Sequence, residues 1–554
     1  MNKKLSSIAI LNFILIIPIA FYFKFFPTII SGIITNIIIF LLISAFIILL
    51  IYGTTMIGKD NKDYVYILPQ SVIFIFLLSA IPNIRLEYPI IHDPYFYLVT
   101  TLNIIDYGTL QPMLSSWYPL IDQQLHWPVL ELLTTNLVFL LNINPLHFMK
   151  FLVPLLGVVL FLLVFVLIKT VSNDNRISML AALISSVSSL SIFINSEYHP
   201  QAIAPLFFIL FIYFYYKFKN VNIIFGILML LTILVFAMSH HFSSIFIGIF
   251  AIIYLITVFI LTKFSFLDTK FLNLDNFIKD YNLWILIAVI MISYHFFVYF
   301  GFISGIVIDA FNSNSQISLI TYGGNVPLYT TITNSMKWVV FLFALPAIYY
   351  SYKNRNKEQF QFAILFLCFI LAGIIGSTII SMPLDRIIIF YYPFAAFFAS
   401  ITFLKLFNKK NGRSHIKIAV IVIISIILLA GVFGSQTPAY FFKNTEVNIY
   451  YWSSNDLSSA SSFENTGSWI NDYTNKSKFY ALEFDTRSLA FYYGHAGPYI
   501  YYYQDGIPNT FKGYIVLNPS IPYNYLNFSK QNYLNNIDTF YSDGRVIVGG
   551  NGIR

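Results

Sequence analysis

The sequence predicts an all-α polytopic membrane protein with a small C-terminal extracytoplasmic α/β domain, and three observations predict it. The 554 residues are 58% hydrophobic and only 10% charged, where a soluble chain carries roughly 25% charged residues. Apolar segments long enough to cross a hydrocarbon core of about 30 Å recur as far as residue 433. From Gly434 onward Ser, Asn, Asp and Tyr replace the runs of Ile and Phe.

The apolar segments place spans near residues 7–23, 29–53, 65–82, 147–168, 177–194, 202–216, 221–238, 243–262, 283–303, 337–352, 359–380, 387–404 and 415–433. That makes about 13 transmembrane helices. The opening MNKKLSSIAILNFILIIPIAF has the basic start and apolar stretch of a signal peptide. No small-residue cleavage site follows, so it reads as a retained first span. With Lys3 and Lys4 on the cytoplasmic side, an odd number of crossings leaves the C-terminal domain outside. The greater part of the 32 Lys and Arg then falls in short inner loops, among them Lys59, Lys62, Lys169, Arg176, Lys353 and Arg355. Before the tail the outer side holds only Lys24, Arg85, Lys150, Lys337 and Arg386. This is the positive-inside asymmetry of a multi-pass protein of the cell membrane. The formal charge of +8 is thus a topology signal rather than the footprint of a nucleic-acid partner. The single cysteine, Cys368, lies in an apolar run and excludes a disulfide framework or a cysteine metal site.

Two domains follow: a transmembrane domain over 1–433 and an extracytoplasmic domain over 434–554. The first outer loop, 82–147, is too long for a turn. Its stretch 127–142 is apolar but short and carries Pro128 and Glu131, which suits a helix lying in the membrane interface. Tyr95, Tyr97, Trp117, Tyr118 and Trp127 suit headgroup depth. A second outer segment, 304–336, is rich in Asn, Ser, Thr and Gly and reads as a loop. In the tail SSASSFENTGSWINDY reads as a capped helix, and KFYALEFDTRSLAFYYG and GRVIVGGNGIR read as strands.

Outside the tail, acids fall beside the spans rather than within them. Of the nine histidines, His92, His126, His147, His199, His240 and His241 fall on the outer side. Four stretches there combine acids, imidazoles and guanidinium groups: RLEYPIIHDPYFY (Arg85, Glu87, His92, Asp93), NSEYHPQ (Glu197, His199), MSHHF (His240, His241) and SMPLDR (Asp385, Arg386). A carboxylate there can take a proton from an attacking hydroxyl. His and Arg can balance the charge of a departing phosphate. Carboxylate and imidazole together can hold a divalent cation, with Asp93, Glu197 and His199 as ligands. Each stretch also has a plainer reading. Asp93 precedes Pro94, where an acid starts a turn; Glu197 fits a helix cap; His240 and His241 fit interfacial positions. Asp385 with Arg386, and Arg85 with Glu87, fit local ion pairs.

The order of these features resembles the GT-C type of membrane glycosyltransferase, which includes oligosaccharyltransferases, protein mannosyltransferases and lipid A aminoarabinose transferases. The features are a long first outer loop with HDPYFY, an interfacial helix opening with HWP, an outer turn SEYHP, a late PLDR and a soluble outer C-terminal domain. The resemblance covers the whole layout through short motifs. It implies transfer of a sugar from a polyprenyl-phosphate- or polyprenyl-diphosphate-linked donor to a lipid, glycan or protein acceptor at the outer face, with inversion at the sugar carbon. Asp93 is then the catalytic first-loop acid, and Glu197 with His199 matches the acid of the second outer loop. Arg386 is the base that holds the lipid phosphate, with His92, His199, His240, His241, Arg85 and Glu87 around donor and substrate. A divalent metal (Mg or Mn) is implied for some members and metal-independence for others, and this first loop has no paired DxD. Two spans precede the first-loop unit, and the tail has SWINDY in place of the WWDYG of oligosaccharyltransferases. The residues alone leave open a multi-pass transporter or lipid flippase, although transporters place ionisable groups at the bilayer midplane.

Overall fold

The computed structural model describes residues 3–25, 33–58, 62–85, 127–196, 198–220, 223–263, 282–294, 328–354, 356–379, 384–408 and 414–434, several residues between 97 and 108, and five short strands after 479. The helices are α1 (Lys3–Phe25), α2 (Ile33–Met56), α3 (Leu68–Arg85), α4 (Val129–Leu141), α5 (Pro145–Ser172), α6 (Asn175–Ser186) and α7 (Ser189–Ile194). They continue with α8 (Ala204–Asn220), α9 (Ile223–Ala237), α10 (His241–Lys263) and α11 (Asn282–Tyr294). The last four are α12 (Leu328–Lys353), α13 (Lys357–Ile379), α14 (Leu384–Phe407) and α15 (Ser414–Gly434).

Eight stretches among the described residues are long and apolar enough to cross a membrane, in α1, α2, α5, α8, α10, α13, α14 and α15. A helix satisfies its own backbone groups, which lipid cannot do for it. The other five segments read as spans coincide, wholly or in part, with α3, α6 and α7, α9, α11 and α12, none of which is among these eight stretches of the described residues. The segment 177–194 is two helices. The Ser188 hydroxyl accepts from the Ser191 N–H at 3.2 Å and caps α7, while Ser188 and Ser191 both donate to the Ser185 carbonyl. Serine hydroxyls compete with the helical ladder in this way, and a run of them ends one helix and starts another. Asp174 opens α6 by accepting from the Arg176 N–H at 2.9 Å and pairs with its guanidinium at 2.8 Å. Asn142 and Asn173, both at φ 51, end α4 and α5 in the left-handed region that asparagine tolerates.

By their contacts the residues form two compact units: 1–85, 151–196 and 200–447 in one, and 86–150, 197–199 and 448–554 in the other. The first is organised on α14, whose residues 387–404 are all buried, whereas the most apolar windows of the other crossing stretches are buried over 33–61%. Ala395, Ala396, Ala399 and Ser400 have no exposed surface and let neighbouring backbones close in. Between them Phe394 stacks on Phe362 at 4.4 Å and Phe390 meets Phe208 edge-on at 5.5 Å. The lipid-facing sides of α1, α2, α9 and α10 expose Ile, Leu and Phe. Asn12 of α1 donates to the Gln70 side chain of α3 at 2.6 Å, and Gln70 donates to the Tyr66 carbonyl. Gly431 of α15 lies against the break between α6 and α7, where a Cβ would come 1.8 Å from the Val187 carbonyl oxygen.

In the tail the strands β1 (Phe479–Ala481), β2 (Ile500–Tyr501), β3 (Gly513–Leu517), β4 (Asp538–Ser542) and β5 (Ile547–Asn551) form one mixed sheet, in the order β2-β1-β3-β5-β4. The first three run parallel, and β5 pairs antiparallel with β3 and β4. β1 and β5 fall in the two segments read as strands. The segment read as a capped helix lies outside the described residues.

Candidate active site

The segment 82–147 is described mainly at α4, whose buried side is unusually polar. Leu130, Glu131, Thr134, Thr135 and Val138, at helical spacing, form its buried stripe. Phe139, Leu140 and Leu141 are exposed, Leu140 at 80%. A soluble helix buries its apolar face; this one shows it, as a helix in contact with lipid does. Trp127 and Tyr97, which the sequence assigns to headgroup depth, are buried within the chain at 3% and 7% exposure.

The polar stripe meets the second outer turn. The Tyr198 phenol lies at hydrogen-bond distance from Thr134 Oγ1 and bonds Thr101 as well. Thr134 spends its own proton on the Leu130 carbonyl at 2.8 Å, so the phenol is the donor in the Thr134 pair. The Tyr97 ring lies 6.3 Å from that of Tyr198 and edge-on to the half-buried His199 ring at 5.4 Å. Glu131, one helical turn before Thr134, has no exposed surface, and neither carboxyl oxygen bonds another residue. Burial pushes its carboxyl up to about 8, so at neutral pH it is a neutral acid. Burial, and then the neighbouring Glu131, raise the Tyr198 phenol.

Of the residues singled out in the sequence, Glu87, His92, Asp93 and Glu197 lie outside the described residues. Their segments belong, with His199, to the second compact unit. Arg85, His240, His241 and Arg386 belong to the first. Arg85 ends α3, His241 opens α10, and Arg386 is in the first turn of α14. The Asn83 side chain donates to the Ser196 carbonyl at 3.0 Å, which ties the chain two residues before Arg85 to the residue directly before Glu197. His240 is buried, with Nδ1 at 2.8 Å from Ser243 Oγ and accepting from the Ser243 N–H at 3.4 Å. That is the bonding of a helix cap, and it places the ring proton on Nε2. Among the described residues no three His, Cys, Asp or Glu side chains group as a metal site. His199 is the one member of the expected ligand set that is described. Sequence reasoning missed Glu131 and Tyr198 as members of the site. The available signals were a lone acid on an apolar helix and a tyrosine between Glu197 and His199.

No family model matches the chain, and no curated protein matches it in sequence. Solved structures do match. The chain is similar to ArnT from Cupriavidus metallidurans bound to undecaprenyl phosphate, at 10% identity and a TM-score of 0.52, over 89% of this chain and 100% of that one. The apo state of the same protein matches with a TM-score of 0.53, over 89% and 99%. The Archaeoglobus fulgidus oligosaccharyltransferase tethered to an acceptor peptide matches at 13% identity and a TM-score of 0.45, and the chain spans 59% of that enzyme's length. The fold is therefore that of ArnT, and the resemblance to GT-C glycosyltransferases drawn from the sequence holds at the level of the fold.

Proposed function

We propose that the protein is a membrane glycosyltransferase that moves a sugar from a polyprenyl-phosphate-linked donor to a lipid, glycan or protein acceptor at the outer face. The observation that carries this reading is the ArnT fold along the full length of that protein, one structure of which holds undecaprenyl phosphate. The buried polar groups of α4 beside Tyr198 and His199 support it, since they set acid, hydroxyl and imidazole chemistry on one helix and one turn.

In this reading an acceptor hydroxyl attacks the anomeric carbon of the sugar and its proton passes to the Asp93 carboxylate. The bond from that carbon to the phosphate oxygen breaks, and polyprenyl phosphate leaves with the electron pair. A single displacement inverts the sugar carbon. Glu197 and His199 flank Tyr198 in the turn docked on α4 and orient the acceptor. Arg386 neutralises the lipid phosphate, with His92, His240, His241, Arg85 and Glu87 in supporting roles. Asp93, Glu197 and His199 have the donor chemistry for a divalent ion, which would polarise the phosphate when bound; none of these steps depends on it. The N-terminus is cytoplasmic and the C-terminal domain extracytoplasmic.

The test is release of polyprenyl phosphate from a radiolabelled polyprenyl-phosphate hexose or pentose in membranes carrying the full chain. D93N is expected to lower that release by about two to four orders of magnitude. Undiminished turnover removes Asp93 from the reaction, and lipid scrambling in vesicles without sugar transfer replaces the enzyme by a flippase.

A further inference from the structure

At one end of the first compact unit three helices bring basic termini together. α12 packs along α14, with the Phe343 and Phe403 rings 4.6 Å apart, and the two helices end side by side at Lys353 and Phe407. α15 starts a few residues later in sequence, at Ser414. α14 is enclosed over residues 387–404, yet Lys405 is exposed and turns its ammonium onto the Tyr350 ring, 4.1 Å from the centroid. Lys417 of α15, also exposed, lies over the Phe407 ring at 5.6 Å. Lys353 stands one turn after Tyr350 on α12 and is exposed as well. Among the described residues none of the three lysines pairs with a carboxylate.

A lysine at a membrane boundary that needs only water extends its stem into it. Lys405 and Lys417 are instead held against aromatic faces, which attract the charge without taking its hydrogen-bond donors. Those donors stay available where the apolar surface ends. The surface leads straight to them: Leu342, Leu345, Tyr349 and Tyr352 follow one another at helical spacing along α12, all exposed. Hydrocarbon, then tyrosine at headgroup depth, then ammonium groups without a counter-charge match the parts of an anionic phospholipid in the same order.

We propose that the ends of α12, α14 and α15 hold the headgroup of an anionic phospholipid, with Lys353, Lys405 and Lys417 around its phosphate and an acyl chain along α12. With a cytoplasmic N-terminus these ends meet the inner leaflet. The proposal does not rest on the glycosyltransferase reading.

The test titrates the full chain in neutral detergent with phosphatidylglycerol, reads bound lipid by native mass spectrometry, and repeats the titration with phosphatidylcholine. Wild type is expected to prefer phosphatidylglycerol. K353Q/K405Q/K417Q is expected to weaken phosphatidylglycerol binding about a hundredfold and to leave phosphatidylcholine within about twofold. K62Q/K217Q/K263Q removes the same charge elsewhere and is expected to keep the wild-type preference. Equal losses in the two triple variants assign the effect to diffuse surface charge and overturn the site. Undiminished binding in K353Q/K405Q/K417Q, or no preference in wild type, overturns it too. Glycerol phosphate that displaces the lipid at equal concentration overturns the lipid as occupant. Should K353Q/K405Q/K417Q not be recovered, Y350L keeps every charge and is expected to weaken phosphatidylglycerol binding about two- to fivefold; unchanged binding there overturns the proposal.

Discussion

The phenol of Tyr198 sits 2.5 Å from Thr134 Oγ1, across 64 residues of sequence. This contact fastens the turn at Tyr198 to α4. T134V leaves the phenol with one acceptor fewer and is expected to cost about 1–3 kcal/mol, whereas Y198F together with T134V costs less than T134V alone. A double-mutant cycle on thermal or denaturant stability measures the difference. If the turn carries the acceptor-side acid, T134V also lowers sugar transfer at saturating donor.

Arg386 lies in the first turn of α14, the most enclosed helix of the bundle. R386A is expected to raise KM for the polyprenyl-phosphate donor by at least about tenfold, the worth of a charge-assisted phosphate contact. R386K recovers part of it, because lysine supplies the charge without the planar fork. A KM unchanged in both variants removes Arg386 from donor binding.

Gly431 is required where α15 crosses the break between α6 and α7. A methyl group there would overlap the Val187 carbonyl, which is backbone and cannot swing aside. G431A is expected to lower stability by about 1–3 kcal/mol or more, seen as a lower thermal midpoint and reduced yield in membranes. G248A is the control, since its added methyl meets only a Met291 contact at 3.5 Å.

The amide pair of Asn12 and Gln70 holds α1 to α3 inside lipid. Such bonds are worth about 0.6 to 1.7 kcal/mol. Q70L alone leaves the Asn12 donor stranded and is expected to destabilise more than N12L with Q70L. Equal losses would mean that the pair is not coupled.

Cys368 is the single cysteine and is buried, so the natural chain is a quiet background for thiol labelling. A membrane-impermeant maleimide is expected to label S477C on intact cells and to label N408C only after permeabilisation. The reverse result inverts the topology.

Much of the fold was legible because lipid imposes a simple demand: runs such as 147–168 and 415–433 have no other stable state than a helix. The break at Ser188 was not, since the five serines within 185–191 alter hydrophobicity little while the hydroxyls of Ser188 and Ser191 redirect the ladder. β3 and β4 of the tail were missed for a related reason, as short strands carry little period of their own. At the site, the turn 197–199 was marked for its acid and histidine. Its contact with α4 could not be seen, because Thr134 and Tyr198 are ordinary residues until the fold sets them side by side. Glu131 had been taken only as a reason against a span.

The reversed dressing of α4 makes the bilayer part of the loop's architecture. Phe139, Leu140 and Leu141 are exposed at 62%, 80% and 54% among the described residues, so stripping the annular lipid removes the wall against which that helix is braced. Harsh, short-chain detergents should then loosen the outer segment before any spanning helix gives way, and the loop excised as a soluble fragment would clump through the same oily surface.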